Sequence, residues 1–450
     1  MEELVPFLLV SANVGSIFED PENLLEIWLK EFLMVIKRLE PKFLALHCQE
    51  VGGKDYKDSS KNVQEFIRAL MMSEELSSFG KMKVYLDEDF NCREKFTALG
   101  SLYFVHNSLK DVQIWDFRDH KYVPVVGKEI YNGNIEHIGT KEKVKFTAEI
   151  VPEFLLQCKW SRKGFMRTRW RIGYTAFDLV NIHLFHDESN FVAMEECPSK
   201  YSKTRQSALG YALHRFSVDS LEKVPFFIFG DFNFRLDTKG IVQKLTKKTV
   251  PVYIKSAKNG EIEKILYKET GEGEKVVLTL ERKVFDLNEQ EETFSAKEKW
   301  LQEYDREPKV FEEQLFEFDI SFPPSYPFTE DLCGKTYMKT RCPSWCDRIF
   351  LSRSALSLVH MSSHSTGYSP FFYQLIGEDV AMGDHKPVML FCSLRCCTGT
   401  SHREMQSGRE MILPRISVTF PASKMSPSSS RFIHVKRPGS PTRIFRETTV

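Results

Sequence analysis

The run Phe-Phe-Ile-Phe-Gly-Asp-Phe-Asn-Phe-Arg at residues 226–235 constrains this chain more than any other stretch. Its four leading apolar residues, Phe226 to Phe229, read as a strand buried on both faces, and Gly230 frees the backbone where an acidic residue must emerge from the core. Side chains alternate along an extended segment, so Asp231 and Asn233 point one way while Phe232 and Phe234 turn into packing. A carboxylate and an amide therefore face one small volume. The carboxylate can accept a proton from a water, and the amide can donate to a phosphoryl oxygen or hold that water in line. Taken alone, the same residues also fit a strand end closed by an Asp/Asn turn.

Other strands end the same way. Residues 7–14 read as a strand with Asn13 near its end and Gly15 closing it. A helix follows, with Asp20 as N-cap, Pro21 in the first turn, and Leu25, Trp28, Leu29, Phe32 and Ile36 along one apolar face. The strand at residues 43–50 delivers Glu50 ahead of Gly52 and Gly53; a lone Glu in such a place is more often a solvated loop residue. Residues 62–79 read as helix, and residues 82–86, 96–105, 112–117 and 122–126, rich in β-branched and aromatic side chains, read as strands.

Six basic residues, Lys159, Arg162, Lys163, Arg167, Arg169 and Arg171, then occur with no acid among them. Such a run is most often a solvated face, with an anion-binding rim as the competing reading because it sits between two strands and contains Gly164. The strand at residues 176–184 carries His183, with His186 three residues on, and residues 205–220 suit a helix. Residues 236–320 are charged, with helical patches and a weak hairpin signal around Gly271-Glu-Gly273, and read as an elaboration within the domain. The core pattern resumes with Phe322-Pro-Pro-Ser-Tyr-Pro-Phe328, with Arg341-Cys-Pro-Ser-Trp-Cys-Asp-Arg-Ile349, and with a last core strand at residues 386–392 behind Gly383-Asp384-His385.

Composition bounds the partners. Hydrophobic residues make up 42% of the 450, with 36 Phe, enough for a large core, while Lys plus Arg and Asp plus Glu balance at 62 each. A formal charge of zero argues against a nucleic-acid coat. No apolar run reaches eighteen residues and Met1-Glu2-Glu3 is unlike a signal peptide, so the expectation is a cytoplasmic protein with reduced thiols. Cys342 and Cys346 have no second pair to complete a zinc site. From Gly399 onward nine Lys and Arg face three acids, a net +6 against −6 for the body; this Ser- and Pro-rich tail, residues 398–450, is expected to be disordered. It ends Thr448-Thr449-Val450, a weak match to a groove that captures C-terminal carboxylates.

Asn13, Glu50, His183, Asp231 with Asn233, Asp347, and Asp384 with His385 come in an order that resembles the endonuclease/exonuclease/phosphatase superfamily. Within it, Gly230-Asp-Phe-Asn-Phe-Arg235 and Pro343-Ser-Trp-Cys-Asp-Arg-Ile349 are similar to the two signatures of the inositol polyphosphate 5-phosphatase family. Ala45-Leu-His-Cys-Gln-Glu50, Lys159-Trp-Ser-Arg-Lys-Gly164 and the Phe322 to Phe328 loop look most like its type I branch, which acts on inositol 1,4,5-trisphosphate. The likeness runs from about residue 7 to residue 392.

The resemblance implies an α/β fold of the deoxyribonuclease-I type, a four-layer α/β/β/α sandwich filling residues 1–397. It implies Mg²⁺-dependent removal of the 5-phosphate from soluble inositol polyphosphates, the 1,4,5-trisphosphate and the 1,3,4,5-tetrakisphosphate, which ends a calcium-release signal. In that scheme Glu50 and Asn13 hold Mg²⁺, and Asp231 with Asn233 orients or deprotonates the attacking water. Asp347 pairs with His385 so that the other ring nitrogen faces the phosphate, His183 adds a donor, and Asp384 assists the metal or its waters. Lys163, Arg167, Arg169, Arg348 and Tyr326 are the expected substrate contacts. Competing readings are a phosphoinositide lipid 5-phosphatase and a silent inositol-phosphate-binding module; a nuclease fits the neutral charge and the two signatures poorly.

Two departures matter. Many lipid-directed relatives carry Lys in the aromatic loop where this chain has Pro327, and the type I branch typically ends in a prenylation box, whereas this chain ends Glu-Thr-Thr-Val. Cys396-Cys397 as an acylation site, and the basic tail as a weak tether to the plasma membrane, are the alternatives for peripheral membrane contact.

Overall fold

The computed structural model describes residues 2–53, 56–92, 94–151, 162–271, 275–295, 299–330, 334–361 and 371–397, all within one unit of the chain. Among them the strands form three sheets. The first runs β18 (Phe371–Leu375), β19 (Val388–Cys397), β1 (Glu2–Asn13), β2 (Phe43–Gln49), β4 (Gly100–Val105), β3 (Lys81–Asp87) and β7 (Lys128–Gly133). The second runs β16 (Leu315–Phe316), β17 (Asp347–Ser352), β11 (Phe226–Asp231), β10 (Thr175–His183), β9 (Gly164–Ile172), β5 (Val112–Asp116) and β6 (Lys121–Pro124), with β8 (Glu142–Lys145) paired to β9. The third comprises β12 (Thr249–Lys255), β13 (Ile262–Glu269), β14 (Val276–Glu281) and β15 (Val284–Leu287).

The twofold period of the strands sorts their side chains into three cores. Val5, Phe7 and Leu9 of β1 and Phe43 and Ala45 of β2 face Trp170, Phe177, Leu179, Phe227 and Phe229 across the space between the two large sheets. The alternate residues Leu8, Val10, Leu44 and Leu46 pack outward on helices α1 (Gly15–Glu19), α2 (Pro21–Leu39) and α3 (Tyr56–Met72). On the far side Val180, Ile182, Ile228 and Phe350 bury Ala208, Leu209, Ala212 and Leu213 of α5 (Lys200–Val218), which follows α4 (Asn190–Glu195). Each large apolar side chain so buried contributes about 1.5–3 kcal/mol. The result is the α/β/β/α sandwich. Because strands such as β1, β2 and β11 are covered on both faces, they read as unbroken apolar runs.

Three expectations need correction. Residues 249–287 are not helical patches but the third sheet, whose inward Ile265, Tyr267, Leu278, Leu280, Phe285 and Leu287 join the central core; among the described residues around it are the short helices α6 (Thr238–Leu245) and α7 (Gln290–Thr293). The final strand extends to Cys397, where Cys396 is fully buried beside β1 and Cys397 is exposed; burial pushes the Cys396 thiol up to about 12, so of the two expected acylation residues Cys396 is not accessible. Asp20 does stand at the N-cap of α2 ahead of Pro21, and its carbonyl accepts from the Leu24 N–H at 3.1 Å, but its carboxylate caps no helix N–H and accepts instead from Asn23 Nδ2 at 2.9 and 3.0 Å. No helix among the described residues is long and apolar enough to cross a membrane. The tail and its Thr448-Thr449-Val450 end lie outside the described residues, as do Lys159 and most of the Gly271-Glu-Gly273 segment.

Candidate active site

Strand register brings the polar ends together. Asn13 at the end of β1 pairs with Gln49 of β2, one residue before Glu50; His183 at the end of β10 is level with Asp231 at the end of β11; and Asp231 is level with Asp347 at the start of β17. Gly230 is required by close approach: a β-carbon there would collide with the carbonyl oxygen of Ile182 on the neighbouring strand. Gly383 is required by its φ of +104°, which turns the chain so that Asp384 and His385 enter the site.

Asp231 is the hub. Its Oδ2 accepts from Asn233 Nδ2 at 3.0 Å and Asn13 Nδ2 at 3.2 Å and lies 3.1 Å from His183 Nε2, while its Oδ1 accepts from the Asn233 backbone N–H at 2.8 Å. Burial opposes ionisation, but His385, His183 and Lys163 together hold this carboxyl well below the usual range. Asn233 stands at φ +51°, and its Nδ2 also donates to the Leu184 carbonyl at 3.0 Å. Its amide thus orients Asp231 as much as it faces the cavity. Phe232 and Phe234 stack on each other and meet Phe350 edge-on, so both are packed as expected although β11 ends at Asp231.

His385 Nδ1 lies 2.8 Å from Asp347 Oδ2, which also accepts from Ser325 Oγ at 2.8 Å. Burial alone would lower the imidazole, yet Asp347 and then Asp231 outweigh it and drive it upward. His385 is therefore an imidazolium at neutral pH, its Nδ1 engaged and its Nε2 left for the cavity it lines. His183 goes the other way, lowered by burial and by Lys163, so it is neutral. Asp384 is held by Ser16, whose Oγ donates to Oδ1 at 2.9 Å.

Glu50, at φ +58° just past β2, faces the same cavity. Burial would raise its carboxyl, but Lys163, His183, Arg162 and His385 bring it down to about 2. Gly15 clears the space beside it: a β-carbon there would stand 3.0 Å from Glu50 Oε2 and 3.5 Å from Asn13 Oδ1. Two hard oxygens thus converge in a cradle with no side chain in it, which suits a small divalent cation. Asp231, Asp347 and His385 also offer ligand atoms within 4.8 Å of one another. In that second group His385 Nδ1 and Asp347 Oδ2 are already engaged with each other at 2.8 Å.

The expected substrate contacts divide. Lys163 and Tyr326 line the cavity, Lys163 touching His183 Nε2 and standing 4.0 Å from Glu50, and the Tyr326 ring lying 4.4 Å from that of His385. Arg167, Arg169 and Arg348 do not line it. Arg167 and Arg169 share Asp178 at 2.6–2.7 Å, Arg167 also pairs with Asp219 at 2.6 Å, and Arg348 is locked between Glu317 and Asp305 at 2.5–2.9 Å. All three are about 2% exposed. Buried guanidinium groups need such carboxylates, and the sequence does not show which arginines have them.

The cavity, about 580 Å³, has further basic residues that the sequence reading did not single out: Arg235, Arg282, Lys283 and Arg341. Arg235 donates to Asn233 Oδ1 at 2.7 Å and stacks 4.6 Å from the Tyr326 ring. Its place two residues after Asn233, on the same face of the run, was the available signal. His186 lines the wall too, lowered to about 4 by burial, Lys163 and Arg235.

Residues 277–391 match the family model for the Endonuclease/Exonuclease/phosphatase family 2. Inositol polyphosphate-5-phosphatase A of Rattus norvegicus is 49% identical over 396 residues, 88% of this chain and 95% of that protein, and the Homo sapiens protein gives the same figures. A probable type I inositol 1,4,5-trisphosphate 5-phosphatase of Caenorhabditis elegans is 34% identical over 421 residues, 86% of this chain and 99% of its own length. Among solved structures, the inositol polyphosphate 5-phosphatase domain of a synaptojanin, in complex with inositol 1,4-bisphosphate and calcium, is similar over 88% of this chain and 87% of its own, at 14% identity and a TM-score of 0.48. At 49% identity over nearly nine-tenths of its length, this chain belongs to the inositol polyphosphate 5-phosphatase family.

Proposed function

We propose that the protein is a phosphoric monoester hydrolase that removes the 5-phosphate from soluble inositol polyphosphates, the 1,4,5-trisphosphate and the 1,3,4,5-tetrakisphosphate among them. The observation that carries this reading is a single cavity in which an ionised Asp231, the His385 imidazolium and the Glu50 and Asn13 oxygens share the lining with Lys163, Arg235, Arg282, Lys283 and Arg341.

Phosphoryl transfer asks for positioned charge more than for covalent chemistry. Asp231, held so far down, is a weak base for free water, and its chief contribution is to orient the attacking water through Oδ1 and Oδ2. His385, with Nδ1 tied to Asp347, donates from Nε2 to the equatorial oxygens on which charge develops. Lys163 adds a second positive charge beside the same oxygens. Glu50 and Asn13 would hold Mg²⁺, which would supply charge neutralisation at the scissile phosphate and the leaving oxygen. Asp384, fixed by Ser16, stands at the rim of the cavity.

The test is phosphate release from a panel of inositol phosphates across a Mg²⁺ titration, with wild type and Glu50→Ala. Strong release by wild type and a large rightward shift of the Mg²⁺ midpoint in the variant are expected. Binding without release would make the protein a silent inositol-phosphate module, and an unchanged midpoint would return Glu50 to a structural role.

A further inference from the structure

With Arg167, Arg169 and Arg348 committed to internal carboxylates, most of the cations expected to read the substrate are unavailable. A substrate that carries several phosphates has only one at Asp231 and His385; the others need positive charge elsewhere in the cavity. The tight turn between β14 and β15 supplies it. Arg282 and Lys283 are the two residues of that turn, both exposed, both lining the cavity, and neither side chain forms an ion pair with a described residue.

Exposed turn residues are ordinarily just solvated, but this turn is anchored. Asn190, 3% exposed at the start of α4, points its Nδ2 at the carbonyls of Glu281 at 3.2 Å, Val284 at 3.0 Å and Thr340 at 3.0 Å. Its backbone N–H donates to the Arg282 carbonyl at 2.9 Å. Two amide hydrogens thus serve three carbonyls, two on either side of the turn and one beside Arg341. A buried side chain used this way fixes the turn against the cavity, which a merely solvated hairpin does not need. Glu188 and Glu330 share the mouth, so it is mixed in sign, and mixed sign discriminates positions where uniform charge would only attract.

We propose that the Arg282–Lys283 turn is a specificity element that contacts the non-scissile phosphates of the inositol ring, with Asn190 as its positioning residue. The inference rests on the reading of the cavity as an inositol polyphosphate site. Charge-assisted contacts to phosphate from a turn remote from Asp231 act on binding and leave the reacting atoms alone.

Steady-state kinetics in Mg²⁺ on inositol 1,4,5-trisphosphate and on p-nitrophenyl phosphate, which has no second phosphate, test it. Arg282→Ala/Lys283→Ala is expected to raise KM for the trisphosphate by about 10–100-fold, one to two lost charge-assisted contacts, with kcat within about threefold and p-nitrophenyl phosphate turnover unchanged. Arg282→Lys/Lys283→Arg should restore most of the affinity, and Asn190→Ala should show the same split of KM from kcat at a smaller size. An unchanged trisphosphate KM in the double alanine variant, or an equal loss on both substrates, overturns the proposal while leaving the phosphatase reading intact. A wild-type protein that releases no phosphate from the trisphosphate overturns both.

Discussion

His385 Nδ1 lies 2.8 Å from Asp347 Oδ2, and this contact joins the loop entering the last strand of one sheet to the first residue of β17 in the other. Each group keeps the other in its working form: Asp347 drives the imidazole upward, and His385 opposes the rise that burial imposes on Asp347.

The pair is therefore expected to act as a unit. Asp347→Asn and His385→Ala should each remove most of the phosphatase activity, and the double variant should lose scarcely more than either alone. Phosphate-release rates for the two single variants and the double decide it; losses that multiply would show two independent contributions.

Asp231→Asn is expected to keep the fold, because the amide has the same shape and keeps one oxygen to accept from the Asn233 N–H, and to lose roughly 10²–10⁴-fold in kcat, the usual span for a positioned acid–base group. The change costs the Oδ2 charge on which Asn13, Asn233 and His183 converge. Matched melting curves with near-wild-type turnover would remove Asp231 from the chemistry.

The strand-end residues were legible because each strand is covered on both faces and so reads as an apolar run that stops at one polar group. Asn13, Glu50 and Asp231 stood out this way, whereas His183 read as a core or edge residue and Asp347, the first residue of β17, was reached through the family resemblance. The arginines were not, because charge alternation along β9 looks the same whether the groups face a ligand or Asp178, and the acids that pair with them lie up to 52 residues away. The third sheet was obscured because charged residues interrupt its strands, as in Ile262–Glu269, although Leu278 with Leu280 and Phe285 with Leu287 do alternate. Arg235, Arg282 and Arg341 reach the cavity from a strand exit, a turn and a loop, places that only tertiary structure assigns.

His47 gives a prediction about acid stability. It stacks on Phe229 with ring centres 3.7 Å apart, its Nε2 is 3.0 Å from Tyr103 Oη, and burial, only partly offset by the Phe229 carbonyl, lowers it to about 3. The folded value lies below that of the unfolded chain, about 6.5, so the stability contributed by neutral His47 is complete above about pH 6.5 and is lost as the pH falls toward 3. Replacing it by Gln removes that titration. Urea unfolding between pH 6.5 and 4.5 should show a shallower decline for His47→Gln, by up to about 1.4 kcal/mol per pH unit. Parallel slopes would mean that His47 does not titrate with unfolding.

The last prediction concerns the boundary between soluble and lipid substrates. Pro327 stands in the aromatic loop beside Tyr326, which lines the cavity, so no cation comes from that position. The cations that do line the mouth, Arg282, Lys283 and Arg341, come from a turn and a loop, and a free head group can reach them from solution. A head group in a bilayer must instead present itself with the membrane behind it, against a body carrying a formal −6 that anionic lipid repels. The truncated chain ending at residue 397 is therefore expected to hydrolyse inositol 1,4,5-trisphosphate and the 1,3,4,5-tetrakisphosphate well and phosphatidylinositol 4,5-bisphosphate in vesicles poorly, with at least a tenfold gap in kcat/KM, about 1.4 kcal/mol. The same gap should persist when the lipid is offered with a short, soluble acyl chain if the missing cation at residue 327 is the cause, and should narrow if bilayer repulsion is. Equal turnover of vesicle lipid and trisphosphate would refute the boundary altogether.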